Sequence, residues 1–223
     1  KAGAKVTAVS RNPHDLVATL EGEGHTGISL DLENQEAIGK FISSIEECHI
    51  LINNAAGPPG GPLLENDIED FDAPFKRHLH ASHTLVKGVV PLMEKAGMGR
   101  IVNIISTSVR EPIPNIGLSN TLRGAMASWA KSLSRELPTC ITINNVLPGF
   151  TDTDRLGSLA SSINSKTGKS VEDIHAGWMS QVPIDRLINP LETGAAVAYL
   201  CMPISGGIRG VSLAVDGGRM RSI

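Results

Sequence analysis

The stretch RIVNIIS, residues 100–106, is apolar at neighbouring positions rather than at every second one. A strand open to water on one face alternates apolar with polar residues; a strand held between two helical layers is apolar on both faces. Five more short, β-branched runs share this character: KVTAVS (5–10), GISLDL (27–32), HILINNA (49–55), ITINNVLP (141–148) and VSLAVDGG (211–218). Between them the apolar spacing predicts helices over about 33–47, 66–96, 116–137 and 190–202. Strand and helix in repeated alternation require right-handed crossovers, so the expected fold class is α/β. The sheet is parallel and doubly wound, the middle layer of an α/β/α sandwich.

The chain has 223 residues, 41% hydrophobic and 19% charged, enough to bury one sizeable core, and reads as a single domain over 1–223. A net charge of -3 with scattered Lys and Arg gives no reason to expect nucleic acid or an acidic membrane as partner. No run of about 18 apolar residues suggests a membrane span. Cys48, Cys140 and Cys201 are odd in number and far apart, which reads as reduced cysteines of a cytoplasmic protein rather than a disulfide framework. The segment 151–183 breaks the rhythm, being rich in Ser and Gly (LGSLASSINSKTGKS, 156–170). Ligands of such sheets bind at the carboxyl ends of the strands, so this segment is either a loop serving as a substrate lid or a surface insertion.

Six landmarks follow one another along the chain: LINNAAG (51–57), RIVNIIS (100–106), KSLSREL (131–137), NNVLPGFTDT (144–153), VPIDRLINPLE (182–192) and LAVDGG (213–218). Together they resemble the short-chain dehydrogenases/reductases, from one end of the chain to the other. The resemblance implies a Rossmann-like sheet, a nicotinamide dinucleotide, a small-molecule carbonyl or alcohol substrate, and a homodimer or homotetramer. KAGAKVTAVSRN (1–12) reads as the end of a helix followed by the family's second strand. The Gly-rich phosphate-binding turn would then lie upstream of Lys1. A sheet without its first strand would keep unpaired edges in its middle. The expectation is therefore a sequence that continues upstream by roughly 20 residues, with gene truncation and loss of cofactor binding as the alternative.

Cofactor positions are carried over from the resemblance residue by residue. After its second strand the family places an acid for a ribose 2'-hydroxyl or a base for a 2'-phosphate. Ser10 and Arg11 stand there, which implies NADP, with NAD as the alternative. Asp31 and Leu32 match the adenine contact, although Asp31 also reads as a turn or helix cap. Asn54, Ala55 and Ala56 match the segment beside the cofactor ribose. Pro148, Gly149, Thr151 and Thr153 match the segment flanking the nicotinamide.

The resemblance departs at the catalytic set. Its serine falls on Ser106, but its tyrosine falls on Ser119, its lysine on Arg123 and its helical asparagine on His78. No shift of register supplies a tyrosine, because Tyr199 is the only one and sits in AAVAYLCM (195–202), which reads as core packing. Ser119 and Arg123, four apart, share one helix face. A serine hydroxyl is far less acidic than a phenol and arginine stays charged, so neither is poised near neutral pH. In one reading Ser106 and Ser119 orient a carbonyl oxygen while His78, or water ordered by Arg123, delivers the proton. In another Arg123 clamps an anionic substrate group and Ser119 lines that site. A third is a nucleotide-binding or regulatory protein without turnover. His78, His80 and His83 do not share a helix face, so no metal site is expected.

Overall fold

The computed structural model describes residues 3–222. The six runs become β1 (Thr7–Ser10), β2 (Thr26–Ser29), β3 (Ile50–Asn53), β4 (Gly99–Ile104), β5 (Ile141–Pro148) and β6 (Ser212–Val215). The helices are α1 (His14–Ala18), α2 (Gln35–Ser43), α3 (Asp72–Phe75), α4 (Ala81–Lys95), α5 (Gly117–Glu136), α6 (Asp154–Thr167), α7 (Val171–Met179) and α8 (Pro190–Cys201). All strand pairs are parallel. Ile101, Ile141 and Ile143 pack on one face against Val86, Val89 and Met93 of α4 and Ala130 of α5. Val102 and Val146 pack on the other against Leu200 of α8. Double coverage is the reason β4 and β5 carry unbroken apolar runs.

Hydrogen bonding divides the expected single sheet into two pieces, β1–β2 and β3–β4–β5–β6. Side chains join them. Val9 of β1 and Leu51 of β3 pack against one cluster, Leu30, Ile38, Ala81 and Leu85, supplied by the exit of β2, α2 and α4. Helical side chains bridge a separation that backbone pairing, at about 4.8 Å between strands, does not. In β3, Ile50 and Ile52 are 37% and 40% exposed, whereas Val102, beside Ile52 in register, is fully buried.

A polar row crosses the four-stranded piece. Asn53, Asn103, Asn145 and Ser212 are successive partners in register. Asn53 Nδ2 donates to Asn103 Oδ1 (2.8 Å), Asn103 Nδ2 to Asn145 Oδ1 (2.9 Å), and Asn145 Nδ2 to Ser212 Oγ (3.1 Å). Buried amides need partners, and identical register lets each supply the next.

Three expectations need correction. The helix expected over 66–96 is interrupted: a 3-10 turn (Ile68–Phe71) and α3 lead into a π-helical turn (Lys76–His80) before α4. Pro74 lacks the N–H that one α-helix running through from residue 66 would need, and the π turn takes up an extra residue. Residues 151–183 are not a loop. Ser170 caps α7 by accepting from Asp173 N, α6 ends at Gly168 in the left-handed region (φ 71°), and Ala160 packs with Ile174 and Trp178. Tyr199 is not core: it is 47% exposed, while its neighbour Leu200 carries the packing of α8.

Candidate active site

Ser119 and Arg123 lie in the first two turns of α5. The start of this helix abuts the loop after β3, where Gly61 N donates to Asn115 O at 2.7 Å. Arg123 Nη1 donates to Ile104 O (2.8 Å), which pins the guanidinium to the end of β4, two residues before Ser106. A Cβ built on Gly57 would lie 3.5 Å from Arg123 Nη2 and 3.8 Å from Ser119 Oγ. The two side chains therefore face one small space above Gly57. Ser106 Oγ accepts from Ser108 N (3.1 Å), so its own hydroxyl proton is free to be donated elsewhere. No protein group takes up the Ser119 hydroxyl among the described residues.

The charges around this space are unbalanced. Burial, with Arg155 nearby, pushes the Arg123 guanidinium down to about 10, still a cation at neutral pH. Its Nε is buried without a hydrogen-bond partner, and no carboxylate pairs with it among the described residues. Arg155, on α6, donates to Pro58 O at 3.0 Å. Arg77 is already paired: its Nε donates to Glu33 Oε1 at 3.0 Å, and its Nη1 reaches Ala56 O at 3.4 Å. His78, in the π turn, is 4% exposed. Its Nε2 lies 2.9 Å from Ala56 O, which accepts from the Nε2–H tautomer. Burial first, then Arg123 and Arg77, push its pKa down to about 4 against the opposing pull of that hydrogen bond. At pH 7 the imidazole is neutral and holds the loop after β3.

The remaining expected positions all leave the carboxyl ends of strands, where open α/β sheets bind ligands. Asn54, Ala55 and Ala56 follow β3. Pro148 ends β5, and at Gly149 a Cβ would come 2.8 Å from Asp216 Cα, so only glycine lets this exit lie against that of β6. Thr151 Oγ1 donates to Gly149 O (3.1 Å) and Thr153 Oγ1 to Thr151 O (3.4 Å). Ser10 and Arg11 leave β1, where Ser29 Oγ donates to Arg11 O (2.9 Å) and the Arg11 side chain is exposed. Asp31 Oδ1 accepts from Glu33 N (2.9 Å), forming a turn, while Asn34 supplies the cap of α2; Leu32 joins the cluster under α2 and α4. The small residues of 55–57 and the exposed cation of Arg11 fit a dinucleotide carrying an extra phosphate. The Gly-rich turn expected upstream of Lys1 lies outside the described residues.

The structure thus brings together Ser119, Arg123, His78 and the loop after β3, with Ser106 beside them. Ser10, Arg11, Asp31 and Leu32 stand apart, on the two-stranded piece. Sequence reasoning missed Gly57, Arg77 and Arg155, and also a stack that fastens α7. Arg219 lies 4.9 Å over the Phe150 ring, Phe150 is 5.3 Å from Trp178, and Trp178 is 5.1 Å from His175. Arg219 Nη1 also donates to Thr107 Oγ1 (3.2 Å), next to Ser106. The signal available was Phe150, placed directly after Gly149 in NNVLPGFTDT. Among the described residues no cluster of His, Cys, Asp and Glu could hold a metal, and no helix is long and apolar enough to cross a membrane.

A family model described as enoyl-(acyl carrier protein) reductase matches residues 1–219. The chain is 29% identical over 224 residues to the NADPH-dependent reductase BacG of Bacillus subtilis, covering 98% of this chain and 83% of that protein. It is 31% identical over 225 residues to the 3-oxoacyl-(acyl-carrier-protein) reductase FabG of Escherichia coli, covering 97% and 87%. Among solved structures, that of YwfH, an NADPH-dependent reductase involved in bacilysin biosynthesis, superposes with a TM-score of 0.89 at 26% identity, covering 98% of this chain and 89% of the other. Parallel strands, crossover helices and the whole-length match agree: the chain belongs to the short-chain dehydrogenase/reductase family.

Proposed function

We propose that the protein is an NADPH-dependent oxidoreductase that interconverts a carbonyl group and an alcohol on a small molecule. Its active site is built on Ser106, Ser119 and Arg123 in place of a tyrosine and lysine. The observation that carries this reading is the convergence of Ser119 and Arg123 on the space above Gly57, at the end of β4 that leads to Ser106. NADPH-dependent reductases among the relatives support the cofactor, and the exposed Arg11 supplies the charge that a 2'-phosphate needs.

When bound, the nicotinamide supplies or takes the hydride. Ser106 and Ser119 donate hydroxyl hydrogen bonds to the carbonyl oxygen, and the Arg123 cation stabilises negative charge developing in the cleft. Water delivers the proton and leaves as hydroxide, because a serine and a guanidinium near 10 release none readily at pH 7. His78, neutral and bonded to Ala56, positions the loop rather than the proton. Assembly of a cytoplasmic homodimer or homotetramer through α4 and α5, which Trp129 and His83 link at 3.3 Å, belongs to the same reading.

A second reading, nucleotide binding without turnover, is favoured by one observation: His78, pushed down to about 4, and Arg123, at about 10, place both ionisable side chains of the catalytic positions away from neutrality. Titration with NADPH and NADH, followed by NADPH consumption with a panel of ketones, separates the two. Binding that prefers NADPH, with ketone-dependent consumption, is expected. Binding without consumption, in the wild type and in Ser119→Tyr/Arg123→Lys alike, would establish the second reading. Failure to bind either nucleotide would overturn both.

A further inference from the structure

Arginines that fasten this fold spend their donors freely. Arg100 donates to Gly99 O, Cys140 O, Met202 O and Pro203 O, and Arg209 to Ser134 O, Leu137 O and Pro138 O. Arg219, which follows β6, is used differently. It gives one side-chain hydrogen bond, from Nη1 to Thr107 Oγ1 at 3.2 Å, and its Nε is buried without a partner. Its Cζ lies over the Phe150 ring, 4.9 Å from the centroid. The two contacts lead to different places. Thr107 opens the 3-10 turn Thr107–Val109, which Ser106 caps by accepting from Ser108 N. Beyond that turn Glu111 Oε1 accepts from Arg221 N and Ser222 N, so the segment carrying Arg219 holds the turn on both sides. Phe150 packs with Ala160, Ile174 and Trp178, the residues that join α6 to α7.

We infer that Arg219 is a positioning residue that couples the seating of the α6–α7 pair to the orientation of the Ser106 turn. The pair begins at the exit of β5 and reaches the loop after β3, where Arg155 donates to Pro58 O (3.0 Å) and Lys166 to Gly60 O (3.4 Å). It thus bridges the exits on either side of β4, the strand that leads to Ser106. A substrate entering beneath this bridge displaces α6–α7, and Phe150 moves with the cluster it belongs to. The guanidinium is planar and rigid, so a shift of the ring under it turns the N–H aimed at Thr107. Thr107 is buried and adjoins Ser106. A group that must meet a reacting oxygen is sensitive to such a shift, a misplacement of about 1 Å costing on the order of a hundredfold in rate. The inference rests on the oxidoreductase reading in giving Ser106 a part in the reaction; the link from Phe150 to the turn does not.

Substitutions at one end, read at the other, test the link. All variants carry Trp129→Phe, which leaves Trp178 as the one tryptophan, and are compared with that background. Phe150→Leu removes the ring and should speed exchange of the Ser108 amide, followed by NMR, about three- to fivefold. Thr107→Val removes the acceptor and should raise acrylamide quenching of Trp178 about twofold. Thr107→Ser, which keeps the hydroxyl, should change neither. In an Arg219→Met background both cross-effects should vanish. No cross-effect, or cross-effects that persist in Arg219→Met, would overturn the link. Should Phe150→Leu fail to fold, Thr107→Val read at Trp178 decides alone. In NADPH consumption with a ketone, Arg219→Met should lower kcat about tenfold and leave the Kd for NADPH unchanged. An unchanged kcat would overturn the positioning role. Cross-effects in a protein that consumes no NADPH would uphold the link and sink the oxidoreductase reading; consumption without cross-effects would do the reverse.

Discussion

The two pieces of the sheet are built from the same kind of residue and end in different environments. In the four-stranded piece Ile101, Val102, Ile141, Ile143, Val146 and Leu147 are fully buried, because α4 and α5 cover one face and α8 the other. In the two-stranded piece Ala8 is the one buried strand residue, and Thr26, Ile28 and Ser29 are exposed. Burial free energy scales with apolar area removed from water, so the fold is anchored at β4 and β5, and β1–β2 is held by helical side chains. The candidate site inherits the difference. Ser106, Ser119 and Arg123 stand on the anchored part, whereas Arg11 and Asp31 follow the strands of the less covered piece.

Cavity substitutions put the largest strain on that comparison. Ile143→Ala should cost about 3–4 kcal/mol, and Ile52→Ala, in the half-open strand beside it, less than about 1 kcal/mol, by chemical denaturation. Equal losses would mean that coverage does not set the local contribution. At the seam, His78 makes stability depend on pH. Its folded pKa, about 4, lies below its ordinary 6.5, so the neutral form is the one folding prefers. The contribution is complete above pH 6.5 and is lost as pH falls from 6.5 towards 4, by about 3 kcal/mol. Urea unfolding of the wild type and of His78→Gln at pH 7 and 4.5 would show it: the wild type should lose stability over this range, and the variant should lose much less. Smaller again is the polar row, where Asn103→Ala should cost about 2 kcal/mol by orphaning the amides on either side. Ser212→Ala, at its end, should cost under about 1 kcal/mol, and a calorimetric melt that ranked the two the other way would show that the row is not a chain.

β4 and β5 were legible because a strand buried on both faces leaves an apolar run; β1, β2, β3 and β6 carry the same kind of run although their faces are partly open. The unpaired edges in the middle of the sheet agree with the sequence reading, which expected them of these strands met without the family's first strand. Around His78 the apolar pattern continues without a break, while the backbone changes from α to π and back; periodicity registers faces, not the number of residues per turn. In 151–183 composition hid a pattern that was present. Leu156, Leu159, Ala160 and Ile163 are spaced as one helix face, and Gly168 marks its end. In the site, Ser119 and Arg123 could be paired by spacing alone. Gly57 and Arg155 could not, since they come from distant elements and only the fold sets them against Arg123.

The row from Asn53 to Ser212 has a direction: every amide nitrogen gives to the next oxygen towards β6. No amide can turn over alone without setting donor against donor or acceptor against acceptor. The whole row can reverse, however, because the Ser212 hydroxyl donates as readily as it accepts. It therefore has two self-consistent settings, not one for each combination of its members, and holds a single binary digit. That digit is written at β3: a donor beside the Asn53 carbonyl keeps the present setting, and an acceptor there selects the other.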